Sequence, residues 1–218
     1  MIKLPDFSKS FEYENNFYLS CSNPRLGKFL AHYELFKKAK DLPGDIVECG
    51  LFKGASFVRF AGFRDLFDNL SKKLVGFDIF GEFPETGHKE DKELRENFIR
   101  EAGLESISKN QMFDVLKNKG ITKNVELIEG DIVKTLPEYV KNNPNLKISL
   151  LNLDTDIYEP AVVILKHLWP KIVKGGVLVL DDYNVFPGET RAVDDFFKGQ
   201  NIKIEKFPFS KTPCYIIK

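Results

Sequence analysis

Residues 45–56 read DIVECGLFKGAS and combine the signals of a strand, a turn and a helix start. The apolar run from Ile46 to Cys49 predicts a strand, the glycines after it predict a turn, and the apolar spacing from Ala55 to Leu70 predicts a helix. A strand, a glycine-rich turn and a helix in this order are typical of the first unit of a parallel sheet. The stretch therefore predicts an α/β fold.

Further apolar runs along the chain predict six more strands. They are Lys73–Ile79, Val125–Ile128, Ile148–Leu153, Gly176–Leu180, Ile202–Phe207 and Cys214–Ile217. Helical patterns separate most of the first five strands, which indicates parallel βαβ connections, whereas a turn at residues 211–213 joins the last two strands. We expect a Rossmann-like, doubly wound, mostly parallel seven-stranded sheet with a C-terminal antiparallel hairpin.

Two segments lie outside this alternation. Residues 1–44 contain a break at Asn23-Pro24 followed by apolar residues at helical spacing, which predicts an N-terminal helix. Residues 84–122 form a charged insert with helical patterns at Glu93–Ala102 and Gln111–Asn118, and we interpret it as a lid or an oligomer contact. All 218 residues are expected to form a single domain.

Composition excludes several classes of protein. Lys+Arg and Asp+Glu both number 32, so no basic surplus is available for binding a nucleic-acid backbone. The three cysteines, Cys21, Cys49 and Cys214, have no zinc-site or redox spacing and are expected to be reduced and mostly buried. The N-terminus lacks the apolar stretch of a signal peptide or a membrane span, which favours a cytoplasmic protein that binds no membrane.

The turn after the first strand discriminates between cofactors. It has the pattern E-x-G-x-x-x-G, and Phe52 occupies the place of the second glycine of dinucleotide-binding turns. That glycine admits a pyrophosphate to the backbone, and S-adenosylmethionine has no pyrophosphate, so the turn favours S-adenosylmethionine over NAD. Glu48 is predicted to lie near the cationic methionine end of the cofactor.

Two more acidic residues follow strands that neighbour the first. Asp78 stands where doubly wound folds bind ribose hydroxyls, although an Asp at a strand end can also be simply solvated. Asp131 is placed for the adenine edge and is equally suited to capping the next helix. Both residues are candidate cofactor ligands.

Four acidic residues follow the fourth and fifth strands: Asp154, Asp156, Asp181 and Asp182. Crowded carboxylates raise one another's pKa, and a bound hard cation such as Mg²⁺ removes that cost. The cation would lower the pKa of a sugar hydroxyl while a free carboxylate takes its proton. The alternative interpretation is a helix cap at 154–156 and an ordinary loop at 181–182.

Several motifs together resemble the TylF-like macrocin O-methyltransferases, metal-dependent enzymes that methylate sugar hydroxyls. The motifs are PGDIVECG at 43–50, KGAS at 53–56, Asp78 before FGEFP at 80–84, LDTDIY at 153–158 and DDY at 181–183. One departure is the FGEFP order, where the family more often has Phe-Glu-Gly, and this affects the expected acceptor pocket. The acceptor expected from the resemblance is a sugar-like small molecule.

The resemblance also implies roles for individual residues. It assigns Asp154, Asp181 and Asp182 as metal ligands and Asp156 as the general base, although spacing alone leaves Asp154 and Asp156 interchangeable. It further implies a homodimer. The residues predicted at the cofactor are Glu48, Gly50, Lys53, Gly54, Ser56, Asp78, Asp131 and Asp154.

Three other functions remain open at this point. A phenol- or catechol-directed methyltransferase would share the fold, cofactor and metal but need an apolar slot for a flat ring. A glycosyltransferase would use Asp154-Thr155-Asp156 as a D-x-D metal motif. A non-catalytic binding protein would leave the acidic residues idle.

Some polar residues are assigned structural positions only. His88 is expected to be a solvated loop residue, and His167 a structural residue of its helix. Tyr183 is expected to be a core aromatic at a strand end. Glu189, with Arg191 and Asp194, is expected to form a solvated helix start.

Overall fold

The computed structural model describes residues 2–218, in which a seven-stranded sheet carries helices on both faces. The strands are β1 (Asp45–Cys49), β2 (Leu74–Asp78), β3 (Val125–Glu129), β4 (Ile148–Leu153), β5 (Ile172–Leu180), β6 (Glu205–Lys206) and β7 (Cys214–Ile217). The helices are α1 (Ser10–Ser20), α2 (Asn23–Ala39), α3 (Ala55–Leu66), α4 (Asp91–Ala102), α5 (Lys109–Asn118), α6 (Ile132–Asn142), α7 (Tyr158–Leu168) and α8 (Pro187–Phe197).

The strand order confirms the predicted sheet. It is β3-β2-β1-β4-β5-β7-β6, with β1 to β5 parallel and with β7 antiparallel to both β5 and β6. The order reverses between β1 and β4, because the chain runs outward through β2 and β3 and then returns to the other side of β1. Ligands of doubly wound sheets bind at the carboxyl ends of the strands at such a reversal.

Several boundaries differ from the sequence prediction. The α3 helix ends at Leu66 instead of Leu70, because Asp68 takes a positive φ of 51° that an α-helix does not accommodate. Strand β5 begins at Ile172, before its predicted start, and β6 keeps only two residues of the predicted run. A second N-terminal helix, α1, was not predicted, since it buries none of its side chains and so shows no apolar stripe.

The core lies on both faces of the sheet. On one face Val47 and Cys49 of β1 pack in a cluster with residues of α6, α7 and α8. On the other face Ile46 packs in a second cluster with residues of α2, α3 and α5. Because strand residues alternate between faces, Glu48 points to the same side as Ile46, beneath α3.

The cysteines and the helices bear on two expectations from composition. The three cysteines are free, and Cys49 and Cys214 are buried, as predicted, while Cys21 is partly exposed. Among residues 2–218 we find no helix with the length and apolar character that crossing a membrane requires.

Candidate active site

A cleft of about 1240 Å³ runs along the carboxyl ends of the parallel strands. A site for one small molecule typically occupies roughly 300–1,000 Å³, so this cleft has room for two ligands side by side. Its walls come from the segments after β1 to β5, from the N-terminus of α2 and from the insert. They include Arg25, Lys28, Gly50, Phe52, Lys53, Ser56, Arg59, Asp78, Asp131, Asp154, Asp156, Asp181 and Asp182.

The turn after β1 is held in a shape that only glycine permits. Gly50 has a φ of +89°, and a Cβ atom there would lie 1.7 Å from the carbonyl oxygen of Asp154. The missing side chain therefore lets the ends of β1 and β4 meet. Phe52, which replaces the second glycine of dinucleotide sites, also has a positive φ of 48° and packs against Phe98, with ring centroids 5.2 Å apart.

We expect Gly50→Ala to destabilise the protein by more than about 1 kcal/mol, since it combines a disfavoured φ with a backbone clash. Gly62→Ala is the matched control, because Gly62 lies within α3 and an added Cβ would meet nothing within 4 Å. That variant should be stabilised by up to about 1 kcal/mol through helix propensity. Urea denaturation compares the two, and equal stabilities would contradict the description of the turn.

Glu48 is fully buried and is not among the residues that line the cleft. Its Oε1 accepts a hydrogen bond of 2.7 Å from the Ser56 hydroxyl, whereas Oε2 has no hydrogen-bond partner among residues 2–218. Burial raises the pKa of Glu48 to about 8, against the opposing effect of the Ser56 hydrogen bond. The carboxyl group therefore lies behind Ser56 with its pKa raised by burial, and its position near the methionine end of the cofactor stays a prediction.

The burial of Glu48 predicts a pH dependence of stability. An acid with a raised folded-state pKa stabilises the fold below its ordinary pKa, and this stabilisation is lost as the pH rises towards the folded value. The shift from 4.5 to about 8 corresponds to a loss on the order of 5 kcal/mol. We expect urea denaturation at pH values of roughly 5, 7 and 9 to show that the free energy of unfolding declines less with rising pH in Glu48→Gln than in wild type. Glu138→Gln, at an exposed site on α6, should keep the wild-type slope, and an unchanged slope in Glu48→Gln would contradict the assignment.

Asp78 lines the cleft as predicted, but its carboxylate is occupied by the chain itself. Oδ2 accepts hydrogen bonds from the backbone N–H groups of Leu51 and Phe52, at 2.7 and 3.0 Å. Oδ1 accepts from the Phe80 N–H and the Ser106 hydroxyl, at 2.6 and 3.2 Å. Burial still raises the pKa of Asp78 above its ordinary value. In this conformation Asp78 fixes the turn after β1, and the contact with ribose stays a prediction.

The remaining residues predicted at the cofactor occupy different positions. Asp131 lines the cleft and also caps α6, where Oδ1 accepts from the Val133 N–H at 3.0 Å. The Lys53 ammonium donates to the carbonyl oxygen of Ala102 at the end of α4. Gly54 does not line the cleft; it caps α3 with a φ of +80° and packs against Met112.

Three of the four predicted acids meet in the cleft. Asp154, Asp156 and Asp182 each offer a carboxylate oxygen, and these oxygens lie within 4.8 Å of one another. Burial raises the pKa of both Asp154 and Asp156, and the neighbouring carboxylates raise it further. Asp156 also has a positive φ of 62°, a conformation that costs free energy outside glycine and that clusters at functional sites.

Asp181, which was predicted as a metal ligand, is not part of this group. It accepts hydrogen bonds from the Lys28 ammonium and from His32 Nε2, the latter at 3.3 Å. Although burial alone would raise it, these two donors hold the pKa of Asp181 well below its usual range. In the structure Asp156 thus groups with Asp154 and Asp182, and α2 provides cationic and neutral donors that satisfy Asp181. Which of these acids hold a cation stays a prediction.

Lys28 and His32 were not identified from the sequence. They lie four residues apart on α2, so that they share one face of the helix. His32 is fully buried, which lowers its pKa, and the carboxylates around Lys28 raise the pKa of the ammonium despite its burial. The sequence signal that could have identified them is a Lys and a His on the face of α2 that packs against the sheet.

Glu189 is fully buried, which corrects its assignment to a solvated helix start. Its Oε1 accepts a hydrogen bond of 3.1 Å from the Asp182 N–H. Burial, followed by the charge of Asp182, raises its pKa well above the ordinary value. Glu189 therefore holds the backbone of Asp182 from behind the acidic group. Tyr183 is partly exposed and donates a hydrogen bond to Asp194.

The insert is attached to the helices that follow the acidic residues. Asp91, at the start of α4, accepts hydrogen bonds from the Gly188 N–H of α8 at 2.6 Å and the Tyr158 N–H of α7 at 3.2 Å. Glu159 accepts from the Gly87 N–H at 2.9 Å. His88 stacks on Tyr158, with ring centroids 5.2 Å apart, instead of being solvated. These contacts place the insert beside the acidic group.

Two solved structures of methyltransferases share this architecture. A calicheamicin methyltransferase matches with a TM-score of 0.77 at 24% identity, over 95% of this chain and 85% of that one. The O-methyltransferase NovP matches with a TM-score of 0.75 at 23% identity, over 88% and 79% of the two chains. The fold is the Rossmann-like methyltransferase fold.

The chain belongs to the macrocin O-methyltransferase (TylF) family, whose model matches residues 23–215. Demethyldecarbamoylnovobiocin O-methyltransferase of Streptomyces niveus is 28% identical over 163 residues, which are 72% of this chain and 59% of the relative. A rhamnosyl-tetracenomycin-C 4'-O-methyltransferase of Streptomyces olivaceus is 27% identical over 154 residues, 67% of this chain and 56% of the relative. The aligned segment thus spans less than two thirds of either relative. Membership confirms the resemblance inferred from the motifs.

Proposed function

We propose that this chain is an S-adenosylmethionine-dependent O-methyltransferase that uses a hard divalent cation, Mg²⁺ by preference, to methylate a hydroxyl on a sugar or sugar-containing small molecule. The observation that carries the proposal is the meeting of Asp154, Asp156 and Asp182 in the cleft, beside the glycine turn, in a chain of this family. A relative named for the 4'-O-methylation of a rhamnosyl compound supports a sugar-containing acceptor.

The acidic group has the chemistry of a site for a hard cation. It offers only carboxylate oxygens, the ligands that Mg²⁺, Ca²⁺ and Mn²⁺ prefer, and it lacks the nitrogen and sulfur ligands that favour zinc. The raised pKa values of Asp154 and Asp156 express the cost of ionising both carboxyls, and a bound cation would remove that cost. When bound, the cation lowers the pKa of a coordinated hydroxyl.

We assign Asp154 and Asp182 as cation ligands and Asp156 as the base that takes the hydroxyl proton on a carboxylate oxygen. Asp156 is the more buried of the two acids from the β4 end, and its raised pKa increases the proton affinity that a general base needs. Glu189 positions Asp182 through its backbone N–H. The contacts from Lys28 and His32 occupy both carboxylate oxygens of Asp181 and keep its pKa low.

The cofactor is assigned to the part of the cleft between Asp131 and Asp154. Gly50 lets the ends of β1 and β4 approach each other, and Asp78 holds the N–H groups of the turn. S-adenosylmethionine supplies an electrophilic methyl group, and in-line alignment with the acceptor oxygen contributes roughly 7–11 kcal/mol to lowering the barrier. The protein therefore acts mainly by positioning and by removing one proton.

A second acceptor class is favoured by one observation. Phe52, Phe83 and Phe98 pack against one another and line the cleft, which gives it an aromatic wall next to the cofactor turn. Such a wall suits a flat phenolic ring as well as the apolar part of a glycoside. A phenol or catechol acceptor is therefore the second candidate, and we find no observation that favours a glycosyltransferase.

Transfer of a labelled methyl group tests the function. The purified chain, S-adenosylmethionine labelled in the methyl group and Mg²⁺ would be incubated with two panels of acceptors, glycosides and catechols. We expect label in the glycosides, and loss of transfer when EDTA removes the cation. Label only in catechols would support the second candidate. A rate of methyl transfer that EDTA leaves unchanged would contradict the role given to the acidic group.

A further inference from the structure

A group of cationic residues lines the cleft on the side of α2 and α3. Arg25 and Lys28 lie in the first turns of α2, and Arg59 lies in α3. The α2 helix packs against α3, β4 and β5, so these residues stand over the strand ends that carry the acidic group, at the opposite end of the cleft from Asp131. The cleft therefore has a basic wall facing an acidic floor.

The charges of this wall are not all neutralised. Lys28 forms an ion pair with Asp181, but within residues 2–218 no carboxylate oxygen lies within 4 Å of the Arg25 or Arg59 guanidinium. Arg59 is half-buried, and its contacts are His32 Nδ1 at 3.5 Å and the Phe29 ring at 5.9 Å. A desolvated guanidinium without an acidic partner favours the binding of an anion.

The electrostatics of Arg59 agree with this geometry. Burial lowers the pKa of its guanidinium, the charge of Asp181 raises it, and the like charge of Arg25 lowers it. The group stays protonated at any physiological pH. An anion placed between the two guanidinium groups would relieve their mutual repulsion.

One imidazole ring links this wall to Asp181. Arg59 Nη1 faces His32 Nδ1, and His32 Nε2 lies 3.3 Å from Asp181 Oδ1. Because an arginine can only donate, Nδ1 is the acceptor and Nε2–H donates to Asp181. Arg59 lines the same cleft as Asp154, Asp156 and Asp182, so one bound molecule can place an anionic group on Arg59 and another part near the acidic group.

We propose that Arg25 and Arg59 form an anion-binding subsite that holds a carboxylate or phosphate group of a molecule bound in the cleft. Two ligands of the proposed function, on which this inference rests, carry such chemistry. One is the carboxylate of the methionine part of the cofactor, and the other is an anionic group on the acceptor. The planar guanidinium fork binds either group through two parallel hydrogen bonds.

Calorimetry on Arg25→Met, Arg59→Met and the double variant tests the subsite. The probes are S-adenosylhomocysteine, 5′-methylthioadenosine, which lacks the amino-acid part, and inorganic pyrophosphate. If the cofactor carboxylate is the ligand, the double variant should bind S-adenosylhomocysteine at least about tenfold more weakly than wild type and 5′-methylthioadenosine equally well. If an acceptor anion is the ligand, only pyrophosphate binding should fall by that factor.

Two controls keep the outcome interpretable. Lys38→Met removes one exposed charge from α2 away from the cleft and should leave all three affinities unchanged. Arg25 is exposed, so Arg25→Met should fold even where Arg59→Met does not. On its own it should lower the affinity for the affected probe about threefold. If wild type binds S-adenosylhomocysteine and the Arg variants bind all three probes with unchanged affinities, the subsite is overturned. If wild type does not bind S-adenosylhomocysteine, the proposed function is overturned instead.

Discussion

Asp182→Asn should lower the rate of methyl transfer by at least about 100-fold, which corresponds to roughly 3 kcal/mol of lost transition-state stabilisation. The substitution removes a negatively charged oxygen ligand and leaves the size of the side chain nearly unchanged. Asp182 contributes to the acidic group from the β5 end, and its backbone is held by Glu189. When transfer is measured over a range of Mg²⁺ concentrations, the variant should need more Mg²⁺ than wild type to reach half of its maximal rate.

Asp195→Asn is the matched control, because Asp195 is exposed on α8 and pairs with Arg191 on the same helix. It should keep wild-type activity and metal dependence. The melting temperature of Asp182→Asn without metal should equal or exceed that of wild type, since one of three crowded carboxylates is gone. Full activity with an unchanged metal requirement would show that Asp182 does not hold the cation.

Asp156→Asn should lower kcat by about 10²–10⁴-fold, the usual contribution of a positioned general base. Unlike Asp182→Asn, it should change the affinities for Mg²⁺ and S-adenosylhomocysteine by less than about tenfold. Calorimetric titrations beside the transfer assay separate these effects. This variant also decides between Asp154 and Asp156, which sequence spacing left interchangeable. If Asp156→Asn loses the metal as completely as Asp182→Asn, then Asp156 is a ligand and the assignment of the base is wrong.

The sheet was predictable because its signals are local. The apolar runs, the glycine turn at 50–54 and the acids at the strand ends each follow from a few neighbouring residues. The inward position of Glu48 was also available from the sequence, since residues 46 and 48 share a face of β1 and residue 46 is isoleucine. Its protonation depends on how deeply α3 covers that face, which no local pattern reports.

Which three of the four acids lie together, and which one is held elsewhere, depends on tertiary packing. Asp181 is held by Lys28 and His32, which are 153 and 149 residues away along the chain. Glu189 looked like a residue of a solvated helix start, but the N-terminus of α8 packs against the acidic group and buries it. Contacts between residues this far apart in sequence arise only when α2 and α8 are placed against the sheet.

On the proposed function, one cleft binds S-adenosylmethionine and, through Asp154 and Asp182, a hard divalent cation. Isothermal titration of S-adenosylhomocysteine and then Mg²⁺ into wild type and Asp182→Asn tests it most directly. We predict that wild type binds both and that Asp182→Asn binds S-adenosylhomocysteine normally but Mg²⁺ at least about tenfold more weakly. A wild-type protein that binds neither ligand, or a variant that binds Mg²⁺ as well as wild type, would contradict the account.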